Sequence, residues 1–469
     1  MRVILYELNE VPWRVIDTFV KKYPKSTLAT ILNNSLQYTT LTKDSGELHP
    51  WTTWPSLHRG VYNEDHNIRF INQEIKTPYK PTWEILSDHK LPVGVFGSLQ
   101  SWPVPKKGSY VFYVPDTFAQ TPETHPKSVG AFQRFNLEQT KRDGGAGAKP
   151  IKATPEYLQN LIAMIVKGVR LSTLLALGQQ LINEKLNKNF RAIRSIFQSP
   201  VAFDFFYKLL KQRKPQYATF FTNHTAGMMH RYWKYLFPKD FDYTLKGEED
   251  AFKSQAVIKA MKITDNQLKK LKDYADQDGT ILVIASSMGQ QAIDRGDYLG
   301  ELNITDLKKF FKALDYAGPI KSNLAMSPDY SFSFKKASDL TAFKKSVEAL
   351  KSKDGSPVFT FKKSGLTLNI NLQTNVNLIK QGAFFRRTGK NKEELTFNRL
   401  GITVEKRDQG TAYHIPEGTV LFYRKNLMPE TRRTKIELAS IAPTLLNLFD
   451  ITPPKYMKKP MKEIVQRLK

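Results

Sequence analysis

The stretch His49-Pro-Trp-Thr-Thr-Trp-Pro-Ser-Leu-His-Arg-Gly-Val-Tyr-Asn-Glu-Asp-His66-Asn-Ile68 decides how this chain is read. Locally, Thr53 with Pro55 two residues later reads as a helix start. The hydroxyl would cap free N–H groups, and proline fits a first turn because it has no N–H to lose. The same hydroxyl is also a candidate reactive or substrate-contacting group. Unaided it is a weak nucleophile, so that reading requires a base or a metal ion beside it. Trp51 and Trp54 bring aromatic faces suited either to core packing or to stacking on a sugar ring or nucleobase.

Outward from this stretch, β-type runs at Val3–Leu8, 93–97, Tyr110–Val114, 218–222 and 280–285 alternate with helical patterns at Trp13–Lys22, 155–169 and 255–274. Alternation of this kind predicts an α/β architecture rather than a helical bundle or an all-β sandwich. Residues 1–305 read as a core that carries a helical insertion at about 120–210. Residues 306–400 change texture to helices and paired strands and read as a smaller α+β insertion, after which 401–469 return to the core. The glycine-rich segment 141–150 follows no strand and lacks the spacing of a phosphate-cradling loop, so a surface loop is expected there.

With 469 residues the chain can bury roughly three quarters of its unfolded surface. It has no cysteine, which excludes disulfides, thiolate zinc sites, iron–sulfur clusters and cysteine nucleophiles, and leaves His, Asp, Glu and Asn as metal ligands. Lys and Arg number 71 against 44 Asp and Glu, a formal charge of +27. Such an excess favours an anionic partner: a nucleotide-activated substrate, a phosphorylated glycan, a nucleic acid or an anionic membrane surface. Nucleic acid is disfavoured, because the lysines are scattered and no nucleic-acid-binding module is recognised.

The N-terminal apolar run is cut off by Glu7, Asn9 and Glu10, unlike a secretory signal, and a cytoplasmic protein is expected. The most apolar segment, 161–181, is interrupted by Lys167, Arg170 and Gln179 and is too broken for a spanning helix. It reads as an amphipathic helix pair. Those helices face the core, or lie on the inner membrane surface with Lys185, Lys188, Arg191 and Arg194 beside them.

Four further segments accompany the first: Tyr217-Ala-Thr-Phe-Phe-Thr-Asn-His-Thr-Ala-Gly-Met-Met-His230, Gly279-Thr-Ile-Leu-Val-Ile-Ala-Ser-Ser-Met-Gly289, Tyr413-His-Ile-Pro-Glu-Gly-Thr419, and a C-terminal helix and tail from Ile436 to Pro454. In order and spacing the set resembles the alkaline-phosphatase-like superfamily, in particular type I phosphodiesterases, nucleotide pyrophosphatases and sulfatases. The resemblance implies a central mixed sheet flanked by helices. It puts Thr53 at the nucleophile position and Ser56 where an Asn helps hold the phosphate, and it departs from the pattern at Asn67, where the family has Gly.

The family's two-metal centre is not matched. Its Asp positions hold Asn9, Ala226 and Ser287, and Met288 replaces a His, leaving His230, His414 and Thr53. A hydroxyl and a thioether are poor ligands for such ions. The expectation is therefore no resident cofactor, or at most one weakly held divalent ion at His230 and His414. Freed from metals, those histidines become acid/base candidates together with Glu10. Asn9, His49, Ser56, Arg59, Asn223, His224, Ser286, Ser287 and Gln290 lie at or beside matched positions and are the candidate substrate contacts.

The primary reading is an enzyme acting on an anionic, phosphate-containing substrate, a phosphodiester or nucleotide-activated sugar, with group transfer in surface-glycan assembly as the context. A metal-independent glycosyltransferase on the same fold is one alternative. A non-catalytic relative that binds an anionic glycan or lipid headgroup is another.

Overall fold

Val3–Leu8 and Ile281–Ala285 are apolar except at Glu7, and every residue of both strands is buried. Strands covered on both faces belong inside a parallel sheet with helices on each side. The computed structural model has this arrangement; it describes residues 1–71, 73–144, 155–325, 329–388, 391–406 and 409–469. Among them the main sheet has eight strands, in the order Lys435–Glu437, Ser35–Leu41, Glu417–Tyr423, Ile281–Ala285, Val3–Leu8, Tyr217–Thr222, Val93–Phe96 and Tyr110–Val114. Glu417–Tyr423 runs antiparallel to both neighbours, and every other pair is parallel. The fold is thus a mixed, mainly parallel α/β sheet.

The two-residue period of the strands sorts side chains onto two cores. Ile4, Tyr6 and Leu8 pack with the helices Trp13–Lys22, Gln198–Arg213 and Ala256–Asp278. Val3 and Leu5 pack on the other face with Pro50–Arg59 and Ile441–Leu448. Glu7 shares that second face and is fully buried. Its Oε1 accepts from Ser98 Oγ at 2.7 Å and lies 3.2 Å from His58 Nε2, which is equally buried.

Three local readings change. Thr53 does not cap its helix: His49 is the N-cap, Pro50 opens the first turn, and Thr53 follows inside the helix. Pro55 lies in the interior, where its missing N–H releases the Trp51 carbonyl; that oxygen accepts instead from Gln100 Nε2 at 3.4 Å. Residues 141–144 of the glycine-rich segment end the helix Gly130–Gly144 rather than forming a loop, and 145–150 lie outside the described residues.

The chain divides into two compact units. The first comprises Met1–Phe135, Pro155–Asp294 and Gly410–Lys469 and holds the main sheet. The second is built on Arg295–Gln409, with an antiparallel sheet in the order Phe359–Ser364, Thr367–Leu372, Asp329–Ser333, Lys321–Asn323 and a core around Phe332, Phe343, Leu368 and Ile370.

Candidate active site

The parallel strands Val3–Leu8, Tyr217–Thr222 and Ile281–Ala285 end side by side, so the residues that follow them share the sheet edge where α/β folds take ligands. Just past the first strand, Glu10 has a left-handed backbone, φ 61°. That conformation is uncommon for a residue with a side chain and is held only where the surroundings enforce it. Its carboxylate is buried and meets two imidazoles: Oε2 lies 2.9 Å from His230 Nε2 and 3.3 Å from His414 Nε2. Asn9 Nδ2 donates to Glu10 Oε1 at 2.8 Å, and Gln290 Nε2 donates to Oε2 at 2.5 Å.

Both histidines are fixed from behind. His230 Nδ1 is 3.0 Å from the Ala412 carbonyl, and His414 Nδ1 is 2.7 Å from the Leu48 carbonyl. A carbonyl only accepts, so each Nδ1 carries the proton and each Nε2 faces Glu10. The strand Ala412–Ile415 supplies this support. It pairs antiparallel with Gly289–Ala292, placing His414 opposite Gln290, and Thr411 N–H donates to the His230 carbonyl at 2.7 Å. Gly289 permits the close approach, since a Cβ there would sit 2.4 Å from the Glu417 carbonyl oxygen.

Two imidazole Nε2 atoms and a carboxylate oxygen converging at these distances require positive charge between them, as protons or as a cation. Burial raises the Glu10 carboxyl, but the positive histidines beside it outweigh burial and hold it well below the usual carboxylate range. Burial lowers the His414 imidazole, and Glu10 outweighs that and raises it. His230 is the accessible member, its side chain 31% exposed against 8% for His414 and 3% for Glu10.

The donor set also fits one divalent ion. The ligand atoms of Glu10, His230 and His414 lie within 4.8 Å of one another. Ligands of a tetrahedral zinc site are roughly 3.3 Å apart. Each imidazole donates its other N–H to a carbonyl, the usual outer support for a metal-bound histidine. Gln290 Oε1 is buried beside this group without a hydrogen-bond partner. To His230 and His414, which the sequence pattern offered as ligands with Asn223 and His224 nearby as substitutes, the structure adds Glu10 as a third.

The other candidates are distributed as follows. Asn9 bridges the site, donating from Nδ2 to Asn223 Oδ1 at 2.6 Å and accepting from Trp54 Nε1 at 2.8 Å. His49 borders it, stacked on Trp51 at 4.3 Å and 6.0 Å from the His414 ring. Thr53 is fully buried; its Oγ1 bonds Ser287 Oγ at 2.7 Å and donates to the His49 carbonyl at 3.3 Å. No carboxylate or imidazole among the described residues hydrogen-bonds this hydroxyl, and Met288 is buried in the interior.

Four candidates are placed in the packed interior instead. Ser56 Oγ donates to Asp44 Oδ1 at 2.6 Å and pairs with His66 Nε2 at 2.9 Å, in a buried network that anchors the following loop. Burial lowers His66 to about 3, so it stays neutral there. His224 is bound at Nδ1 by Thr222 Oγ1 at 2.7 Å and at Nε2 by the Ala260 carbonyl at 3.1 Å, facing the helix Ala256–Asp278. Ser286 Oγ ties the chain to Leu8 and Val11 backbone.

Arg59 ends the helix Pro50–Arg59, six residues and therefore about 9 Å along the axis from Thr53. Burial lowers its guanidinium to about 10, and its Nε and Nη1 have no hydrogen-bond partner. A buried, poorly bonded charge is replaceable by an apolar side chain at little cost. Arg59→Met is therefore expected to leave turnover within twofold and to keep or raise the urea midpoint of unfolding; a tenfold loss of turnover without unfolding would return Arg59 to the site.

A recess beside the site is lined by Trp51, Gln100, Trp102 and Phe118. Trp51 links it to His49. Trp54, Tyr232 and Trp233, in contrast, are buried core residues.

No family model matches the chain, and no curated protein matches it in sequence. Among solved structures it is similar to murine ectonucleotide pyrophosphatase/phosphodiesterase 5, with 9% identity, 99% of each chain covered and a TM-score of 0.42. It is similar to the wild-type alkaline phosphatase PafA, with 11% identity over 99% of this chain and 98% of that one and a TM-score of 0.46. Phosphonoacetate hydrolase from Sinorhizobium meliloti 1021, in complex with phosphonoformate, gives 11% identity, 94% of each chain and a TM-score of 0.42.

Proposed function

We propose that this chain is an enzyme acting on a phosphate-containing substrate at the cluster Glu10, His230 and His414. The observation that carries the reading is the convergence of two oriented imidazoles on a buried carboxylate held by a left-handed backbone at the sheet edge. His230, the exposed member, meets the substrate. Glu10 raises the His414 imidazole and so keeps positive charge at the cluster, which attracts a phosphate oxygen; as water or an acceptor hydroxyl attacks phosphorus, the leaving oxygen takes its proton from the cluster. Asn9 and Gln290 fix the carboxylate by hydrogen bonds. A divalent ion on Glu10, His230 and His414, when bound, would supply Lewis-acid polarisation of the phosphate.

Within that class we favour a phosphodiester or nucleotide-activated sugar. The support is the net charge of +27, together with the half-buried rings of Trp51 and Trp102 beside the site, on which a base or sugar ring would stack. Group transfer in glycan assembly is the context that joins these features.

The experiment is an assay of the full chain on a chromogenic phosphodiester and on nucleotide sugars, with chelator and with added Zn2+ or Mn2+. His230→Ala and His414→Ala are expected to lower turnover at least a hundredfold with the circular dichroism spectrum unchanged. Unchanged turnover in both variants removes the assignment. One observation favours a second reading: the Thr53 hydroxyl is buried and already bonded to Ser287. A binding protein without chemistry would show phosphate or nucleotide binding lost in the same variants, with no turnover under any metal condition.

A further inference from the structure

The helices Pro155–Gly168 and Leu171–Leu186 each carry a second row of apolar residues on the side turned to water, besides Leu161, Met164 and Leu177 on the core. In Leu171–Leu186 the fully buried positions are polar, Thr173, Gln180 and Glu184, with Leu177 packed on the core between them and Gln180 Nε2 donating to Glu184 Oε1 and to the Phe190 carbonyl. The outward face holds Leu171, Leu175, Ile182 and Leu186, at spacings of 4, 7 and 4 residues that keep them on one helical stripe. Leu171 is 71% exposed and Leu186 81%. The preceding helix repeats the pattern with Leu158, Ile162 and Val166, the last 79% exposed. Soluble proteins tolerate scattered exposed leucines; two consecutive helices with complete outward apolar stripes mark a surface that is covered in use.

The charge around these stripes says what covers them. From Pro155 to Ala202 there are six basic residues, Lys167, Arg170, Lys185, Lys188, Arg191 and Arg194, and two acids, Glu156 and Glu184. Glu184 is buried and paired with Arg194, and Arg170 is paired with Asp204. Lys167, Lys185, Lys188 and Arg191 are exposed and make no salt bridge with the described residues. Apolar side chains flanked by exposed cations, with Glu184 buried against Arg194, complement an anionic lipid surface: acyl chains below, phosphate headgroups at the level of the lysines. No helix among the described residues is long and apolar enough to cross a membrane. The 16-residue helix would lie in the interface plane.

We propose that the outward faces of Pro155–Gly168 and Leu171–Leu186 form an interfacial anchor that inserts into an anionic lipid bilayer. It does not involve the Glu10 cluster, so the anchor and the proposed activity stand or fall separately.

The test is flotation of the full chain with phosphatidylcholine vesicles, with and without 30% phosphatidylglycerol. The expected result is binding to the anionic vesicles that weakens with salt, falls at least tenfold in Leu175→Gln/Ile182→Gln/Leu186→Gln, and falls severalfold in Lys185→Gln/Lys188→Gln/Arg191→Gln. These side chains are exposed, so the thermal melts should not move. Because the chain has no cysteine, Leu175→Cys takes a single environment-sensitive fluorophore, whose emission should shift to the blue and be quenched by brominated lipid. Wild-type protein that stays in solution with anionic vesicles overturns the proposal. So does binding equal in wild type and the leucine variant, or a dimer that the leucine variant disperses while no vesicle binding is seen.

Discussion

Glu10→Gln is expected to lower turnover by about 10²–10⁴-fold, the range for loss of positioned acid–base catalysis, with the fold intact. The substitution keeps the volume and a carbonyl oxygen for Asn9 while removing the charge that holds two imidazoles in their protonated or metal-bound state. Glu10 Oε2 is within 3.3 Å of both Nε2 atoms, and among the described residues these three form the one group of ligating side chains close enough to share an ion. The same variant should bind at least tenfold less Zn2+ by elemental analysis after dialysis. Turnover within threefold of wild type would show that the chemistry lies elsewhere, whatever the metal content.

The largest stability effect is expected from His58→Ala, at about 3–5 kcal/mol. Glu7 and His58 are both fully buried between the Val3–Leu8 strand and the Pro50–Arg59 helix, with His58 also packed against Trp54 and Trp83. Oε1 of Glu7 has Ser98 as a donor, while Oε2 has none. Removing the imidazole leaves a carboxylate in an apolar interior and a cavity beside two tryptophans, and each change is costly. Replacing the pair together, Glu7→Leu/His58→Leu, should recover most of the loss, because a buried polar pair replaced on both sides by apolar groups of similar shape is often nearly neutral. Urea unfolding of wild type, Glu7→Leu, His58→Leu and the double variant gives the coupling directly. A loss below about 1 kcal/mol in His58→Ala would mean that the pair carries no buried charge.

What the sequence by itself determined is the architecture. Largely apolar runs such as Val3–Leu8, broken only by Glu7, and Ile281–Ala285 are suited to burial on both faces, and their alternation with amphipathic helices points to a helix-covered α/β sheet. Ser35–Leu41, with its hydroxyl and amide side chains, did not stand out; it becomes a strand by pairing along its length with Glu417–Tyr423. Periodicity also marked 161–181 as amphipathic, but not which face meets the core. Buried Gln180 and Glu184 settle that, because their polar groups are satisfied by Phe190 and Arg194 from the following segment.

The site was legible as a set of residue types and illegible as an arrangement. Glu10, His230 and His414 could be named from matched positions, yet they lie 220 and 184 residues apart along the chain. Only the left-handed turn at Glu10 and the carbonyls of Ala412 and Leu48 aim them at one another. Ser56, Arg59, His224 and Ser286 have equally functional chemistry and equally good positions in the motifs. They differ in which side of a helix or strand end the packing turns inward, a choice made by long-range partners such as Asp44, Ala260 and Leu8. Local pattern fixes what a segment becomes, while the direction of each polar side chain depends on hydrogen bonds that form only when distant segments meet.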